Sequence, residues 1–516
     1  MMGLAVDSPA ATTSHAVVKD KARTRSEVGY VLGILLLALA LRLYQLGRHS
    51  LWLDEGFSIG DSQHLTGFNR ARPLYYLLLR FWMQFRMDEF WLRLPSVVFS
   101  VASIGLLYLI ARRLAGARVA CLASLLMTLA IGEMDHAQEV RMYTLATFLT
   151  LGSVYMLLRW VERPSWGLLS GHIVFAWLAL VTTPATLFAL LPAAGLALYA
   201  VRQNRQTLLA LLTGYALLLL AWAPLALYAR RMEQGLGGAD RWLNCPTATD
   251  FFFLPYQLLL EYLVFSGQSL PTTLLVWGFQ ALLWLLVGAA LVGAGESSPV
   301  RSGRLVAAWF FAALLAVFII SVLRTPIWSA RYFQPIAPGL YLLLAIGWVR
   351  LAQRARPAAR ILGTVLLGTL LLALTRYYPK MLHEDWRGTA AWVQERAQPQ
   401  DVICIIAPIA HNAAYNGETL LWRYYYHGAA PIQTLFANLH ITDHADAKAV
   451  AALLEQIPAH SGRAWLVFRN DPRLIQAGLL PVLEAELRRR YVVGDTRTTE
   501  YMEAWGVAPR PKTVRR

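Results

Sequence analysis

Two adjacent carboxylates, Asp54 and Glu55, stand in the stretch HSLWLDEGFSIGD, His49 to Asp61, behind a tryptophan and just past a long apolar run. A carboxylate at such a boundary suits a general base for a hydroxyl, and partial desolvation there would raise its pKa towards neutrality. The plainer reading of the pair alone is a helix start, with Asp54 as cap and Glu55 as a favourable N-terminal charge. A second group, GEMDHAQEVRMY from Gly132 to Tyr143, offers Glu133, Asp135, His136, Glu139 and Arg141. Read as a helix, it places Glu139 and Tyr143 on one face and turns Arg141 away from both. His136 is the one residue there that suggests a metal, and ordinary ion pairing is the alternative for Glu133 and Asp135. A third group, SARYFQPIAPGL, sets Arg331 and Tyr332 where a late apolar run begins. An arginine there either snorkels to the interface or holds a phosphate at headgroup depth.

The elements that must position these groups are apolar. Of 516 residues, 57% are hydrophobic and 15% charged, and the mean hydropathy is +0.44, too apolar for a water-soluble multidomain chain. At about 20 apolar residues per helical span, about eleven spans are expected. They fall near 28–46, 92–110, 116–132, 141–159, 166–181, 184–201, 207–228, 270–293, 305–323, 335–351 and 361–375. The net charge of +16 does not point to nucleic acid, because the arginines sit in short clusters between apolar runs, where orientation in a bilayer accounts for them. With residues 1–27 as a basic cytoplasmic N-terminus leading into an uncleaved signal anchor, the inside loops hold Arg112, Arg113 and Arg118, then Arg202 and Arg205, then Arg301 and Arg304. The three acidic or basic groups above then share the outside face. The first outside loop, 47–90, contains the amphipathic RARPLYYLLLRFWMQF, expected to lie in the headgroup region and entered at Arg72-Pro73.

An odd number of spans leaves residues 376–516 outside as well. There DVICIIAP and RAWLVFRN read as buried strands, and DWRGTAAWVQERAQ, AKAVAALLEQI and LPVLEAELRRRY as helices, so a small α/β domain with a mainly parallel sheet is expected. Cys121, Cys245 and Cys404 show neither metal-ligand spacing nor a disulfide pattern.

Taken together, the chain resembles the GT-C superfamily of integral-membrane glycosyltransferases, in particular the bacterial branch similar to protein O-mannosyltransferases and aminoarabinose transferases. The resemblance is carried by RLYQLGRHSLWLDEGFS, RPLYYLLLRFW, EFWLRLPSVVFSVASIGLLYLIARRL, HAQEVRMYTLATFLTLGSVYML and SARYFQPIAPGLYLL. It covers most of residues 28–375, and WRGTAAWVQE resembles the start of the outside domain in such proteins. One departure is Ala71-Arg72-Pro73, where relatives usually have a basic residue and two prolines; Arg72 is left to fill the basic role.

The resemblance implies a mainly α, multi-pass protein of the cell inner membrane. Its donor would be a polyprenyl-phosphate-linked sugar, and its acceptor a hydroxyl of a lipid, glycan or protein among membrane lipids. Asp54 would be the base of an inverting transfer, with Glu55 orienting the acceptor or fixing the loop. Arg72 and Arg331 would hold the donor phosphate, supported by Tyr75 and Tyr332, and Glu139 would contact sugar hydroxyls or brace Arg331. No metal is assigned, although a divalent cation between carboxylate and phosphate stays open. The rival readings are a ligase moving a whole lipid-linked oligosaccharide, a secondary transporter or flippase, and a membrane anchor presenting the tail as a binding module.

Overall fold

The computed structural model describes residues 10–65, 67–235, 243, 245–260, 270–292, 298–380, 383–407, 416–437, 446–458, 462–470, 475 and 478–510. The segments 230–246 and 509–516 lie partly outside these residues.

The apolar runs fold as helices, α1 (Ala10–Leu43), α4 (Glu89–Ala115), α5 (Ala117–Leu129), α6 (Ile131–Ala137), α7 (Tyr143–Glu162), α8 (Trp166–Leu180), α9 (Leu187–Val201), α10 (Arg205–Gly235), α11 (Ala248–Leu260), α12 (Leu270–Leu291), α13 (Ser298–Leu323), α14 (Ala337–Arg354) and α15 (Arg356–Tyr377), with α2 (Leu53–His64) and α3 (Leu74–Trp82) between α1 and α4. Local chemistry sets several ends. The Asp88 carboxylate accepts from the Trp91 N–H at the start of α4, and Gly116, with φ of 87°, ends it. Ser165 caps α8 through the Leu168 N–H.

Among the described residues, eight helices are long and apolar enough to cross a membrane, nine if α5 and α6, bent by 61°, count as one span. The expected eleven differ in three segments. The run 116–132 is this bent pair, α8 has only 15 residues, and α14 ends in a polar turn with Arg350, Gln353 and Arg354. The protein is a multi-pass membrane protein, mainly helical.

Helix α14 is the centre of the bundle, buried continuously from Ala337 to Gly347. Its glycines allow this. A Cβ on Gly347 would lie 1.9 Å from the Leu286 carbonyl oxygen, so α12 and α14 meet backbone to backbone.

The chain beyond α15 forms α16 (Trp386–Gln394), β1 (Val402–Ala407), α17 (Gly417–Tyr425), β2 (Ile432–Phe436), α18 (Ala447–Leu454), β3 (Ala464–Arg469), α19 (Leu479–Arg490), β4 (Tyr491–Thr498) and β5 (Met502–Pro509). The strand order is β2-β1-β3-β5-β4. Strand β1 pairs in parallel with β2 and β3, Ile403 facing Ile432 and Val402 facing Ala464, whereas β5 runs antiparallel to β3 and β4. The sheet is therefore mixed, not mainly parallel. The hairpin β4–β5 escapes the sequence reading because β4, YVVGDTRT, is a largely exposed edge without a buried apolar run.

One face of the sheet packs on Leu453, Leu483 and Leu487 of α18 and α19. The other, with Trp465, joins Trp386 and Trp422 in a core that also contains Leu51, Ile59 and Tyr75. The α/β layer thus shares a core with the segment that carries Asp54.

Gly347→Ala is expected to push α12 from α14 and lower stability by about 1–3 kcal/mol. Gly288→Ala, where a Cβ meets nothing within 4 Å, is the control expected to leave the melting temperature of the detergent-solubilised protein unchanged.

Candidate functional site

Trp52 is the N-cap of helix α2, whose first turn holds both carboxylates of the pair. They face opposite ways. Glu55 is fully buried and accepts from Arg93 of α4 through both oxygens, Nε to Oε1 at 2.8 Å and Nη2 to Oε2 at 2.7 Å. It also accepts from the Trp52 N–H at 3.1 Å and the Val140 N–H at 2.8 Å. Arg93 spends its other protons on the carbonyls of Leu46, His49 and Ser50. Glu55, not Asp54, closes the helix start. Its acceptor capacity is filled by the protein, and it locks the exit of α1, the start of α2 and the turn after α6 to one arginine.

Asp54 keeps 22% of its side chain exposed and accepts from Arg331 Nη1 at 2.8 Å. Arg331 comes from a 3-10 turn, Ala330–Phe333, ahead of α14, and its guanidinium lies 5.9 Å from the Trp52 ring centroid. Arg141 Nη2 stands 3.7 Å from the same carboxylate oxygen, while its Nη1 donates to the Asp54 carbonyl at 3.0 Å and to Ser58 Oγ at 3.2 Å. Burial by itself would raise the Asp54 pKa, but Arg141 and Arg331 outweigh it and hold the carboxyl below its usual range. The expected rise is thus corrected: Asp54 is a firmly ionised carboxylate between two cations.

Arg141 is a second correction. The expected helix through Glu139 and Tyr143 is interrupted by a turn from Gln138 to Met142. Two contacts satisfy backbone groups that a helix would have paired internally, the Val140 N–H to Glu55 and the Glu139 carbonyl to Ser96 Oγ at 2.6 Å. The turn swings Arg141 onto Asp54 and onto Tyr143, whose ring centroid is 5.6 Å from the guanidinium.

Glu139 is buried, 3.4 Å from His136 Nδ1, and burial pushes its carboxyl up to about 8 against the opposing charge of Arg331. Ligand atoms of Asp135, His136 and Glu139 lie within 4.8 Å of one another. His136 Nε2 is buried without a hydrogen-bond partner, so this set fits a divalent cation by donor type.

Tyr75 is buried in α3, close enough to Arg141, Glu55 and Glu139 for their charges to act on it. Tyr332 stands beside Arg331, Tyr143 and Arg72 in the same sense. Arg72 also donates to Asn69 Oδ1 at 2.8 Å. The fold therefore gathers Asp54, Arg331, Glu139, Tyr75 and Tyr332, with Arg72 on the Tyr332 side, and turns Glu55 inward. A small cavity of about 40 Å³, lined by His49, Trp52, Glu139, Lys380, His383 and Glu384, opens beside them. The His383 ring stacks on Trp52 with centroids 4.2 Å apart, and burial lowers its pKa to about 3, so it is neutral.

The sequence reading missed Arg93 and His383, and turned Arg141 away from the site. Only Arg93 left a signal, a lone arginine in the apolar run EFWLRLPSVV, where an ionised group must be paired.

Comparison with known proteins bears on the fold. The family model of dolichyl-phosphate-mannose-protein mannosyltransferase matches residues 70–228. No curated protein sequence matches the chain. ArnT from Cupriavidus metallidurans bound to undecaprenyl phosphate is similar in structure at 16% identity and a TM-score of 0.52, over 92% of this chain and 98% of that one. The same protein in the apo state gives 14% and 0.53, over 93% and 98%. The archaeal oligosaccharyltransferase AglB from Archaeoglobus fulgidus, in complex with an inhibitory peptide and a dolichol-phosphate, gives 11% and 0.54, over 94% and 74%. The likeness is one of fold, and that fold is GT-C.

Arg93→Met strands a fully buried carboxylate and is expected to cost about 3–5 kcal/mol. Arg331→Met breaks a pair with 28% and 22% of its side chains exposed and is expected to cost about 1 kcal/mol or less. Unfolding in matched detergent measures both.

Proposed function

We propose that this protein transfers a sugar from a polyprenyl-phosphate donor to an acceptor hydroxyl, with inversion, on the extracytoplasmic side of the cell membrane. The observation that carries this reading is the Asp54 carboxylate held between Arg331 and Arg141 at the first turn of α2, on a GT-C fold. A general base and a phosphate cradle lie in contact there. The neighbours ArnT and AglB, solved with undecaprenyl phosphate and a dolichol-phosphate, support the donor class.

The ion pair suggests the order of events. An arriving donor phosphate competes with Asp54 for Arg331, whose planar donors match phosphate as well as carboxylate. Asp54, released from one cation, accepts the proton of the acceptor hydroxyl as that oxygen attacks the anomeric carbon. The bond to the phosphate oxygen breaks on the opposite face, and the polyprenyl phosphate leaves with the electron pair, stabilised by Arg331 and Arg72. A single displacement inverts the anomeric centre.

Glu55 has no part in proton transfer; it fixes the loop through Arg93. Glu139 braces Arg331 and faces sugar hydroxyls, and Tyr75 and Tyr332 line the phosphate side. A cation at Asp135, His136 and Glu139 would add positive charge beside the leaving phosphate. The charged groups gather at one end of the bundle, which favours transfer there over a transporter, whose ionisable groups sit at the midplane.

Reconstitution with labelled undecaprenyl-phosphate sugars tests the reading. Asp54→Asn is expected to lower transfer roughly 10²–10⁴-fold while undecaprenyl phosphate still binds; undiminished transfer by the mutant overturns the base assignment. Because the arginines depress the Asp54 pKa, the base stays ionised down through mildly acid pH. The acid limb of the kcat/KM profile, which reports the free enzyme, should therefore fall below the ordinary aspartate value of about 3.9, and Arg331→Met should move it upward.

A further inference from the structure

The segment from Ser50 to Phe57 is held by the α/β layer at nearly every residue whose side chain does not serve the ion pairs. Ser50 Oγ donates to the Glu384 carbonyl at 2.8 Å, and the Leu51 N–H donates to the Tyr425 hydroxyl of α17 at 2.7 Å. The Trp52 ring stacks on His383. The Leu53 N–H, in the first turn of α2, donates to the Glu384 carboxylate at 3.4 Å. Gly56 meets Leu421 so closely that a Cβ would lie 2.7 Å from its side chain, and Gly417 meets Phe57 in the same way at 2.8 Å. Helices α2 and α17 are pressed together at two glycines, one on each.

Glu384 does not stand alone. Its other oxygen is 3.7 Å from Arg469 Nη1, at the end of β3, and Arg469 Nε donates to Glu418 of α17 at 3.3 Å. Glu418 is fully buried and Arg469 is 11% exposed. Arg469 therefore ties the end of a sheet strand, the start of α17 and, through Glu384, the first turn of α2 into one network. Asp54 is the next residue along that turn. Arg469 is near enough for its charge to act on it.

We infer that Glu384 and Arg469 are a positioning pair for Asp54, so that the C-terminal α/β layer forms part of the reaction centre by fixing the direction of its base. The inference rests on Asp54 being that base. The Glu384 carboxylate caps a free N–H of α2, where the helix dipole favours a negative charge. Burial raises the Glu384 pKa; Arg469, 3.7 Å from its other oxygen, opposes that rise and aims the carboxylate. Without the cap the first turn of α2 frays, and Asp54 loses its alignment with the attacking hydroxyl while Arg331 still meets the donor phosphate. A misplacement of the order of 1 Å costs about 10²-fold in rate.

The test compares Glu384→Ala with Glu384→Gln in the full-length reconstituted protein. Glutamine keeps an oxygen to accept from the Leu53 N–H; alanine does not. Three quantities are read: hydrogen exchange of the amides of residues 50–58, affinity for undecaprenyl phosphate, and kcat for transfer from labelled undecaprenyl-phosphate sugars. Glu384→Ala is expected to speed exchange at Leu53 to Phe57 and to lower kcat about 10²-fold with undecaprenyl phosphate affinity unchanged, and Glu384→Gln to recover most of both. Retained undecaprenyl phosphate binding shows that the alanine variant is folded; if it is not, Arg469→Met carries the same three readouts.

Wild-type exchange in the alanine variant overturns the inference, whatever its rate. Faster exchange with full kcat, or a glutamine variant as impaired as the alanine one, overturns it too. If the wild-type protein transfers no sugar, the proposed function fails by itself, and the exchange measurement still decides whether Glu384 holds α2.

Discussion

Three carboxylates crowd the N-terminus of one short helix, and each is answered by an arginine from a different part of the chain. Glu55 meets Arg93 from α4, Asp54 meets Arg331 from the turn before α14, and Glu384 meets Arg469 from β3. A helix N-terminus favours negative charge, but so many carboxylates in a desolvated place repel one another unless each is compensated. The compensation is what ties the bundle and the sheet to α2. The three pairs differ in what they can do, because they differ in exposure and number of partners. Glu55 is saturated and structural. Glu384 spends one oxygen on the helix backbone. Asp54, the most exposed of the three, has two arginines within reach and so can lose one to an anionic ligand.

The second requirement is a helix that does not continue. Arg42, fully buried, donates from Nη1 to the Thr128 carbonyl at 3.3 Å and from Nη2 to the Met127 carbonyl at 3.2 Å, where α5 ends. Those carbonyls would otherwise be orphaned at the break. Its Nε donates to Ser100 Oγ at 2.8 Å, so α1 and α4 hold the break from both sides. The chain then turns through α6 and the stretch Gln138–Met142, which delivers Glu139 and Arg141 to α2. An unbroken helix through this region would have carried Arg141 away from Asp54.

The α/β layer gains a purpose from the same geometry. A sheet with one face on its own helices and the other in a core shared with Leu51, Ile59 and Tyr75 cannot move independently of the first turn of α2. Its tryptophans, Trp386, Trp422 and Trp465, fill that shared core and are wholly buried. These tryptophans thus support the site from behind.

Hydropathy and local period are properties of near neighbours, and what depends on them was legible in the chain alone: a membrane protein, the positions of most long helices, the strands β1 and β3 and the helices α16, α18 and α19. The GT-C resemblance was legible for the same reason, since its motifs are short and contiguous. The division of labour within Asp54-Glu55 was not. It depends on partners 38 and 277 residues away, Arg93 and Arg331. Nor could local pattern show that Arg141 leaves its helix, because the groups that compete for that backbone, Glu55 and Ser96, belong to other elements. Burial alone argued for a raised Asp54 pKa, and only the tertiary structure supplied the two guanidinium groups that reverse it. Sequence determined which residue types reach the membrane boundary; the fold decided which of them is bound and which can be released, because that is set by charge pairing across distant segments in a low-dielectric place.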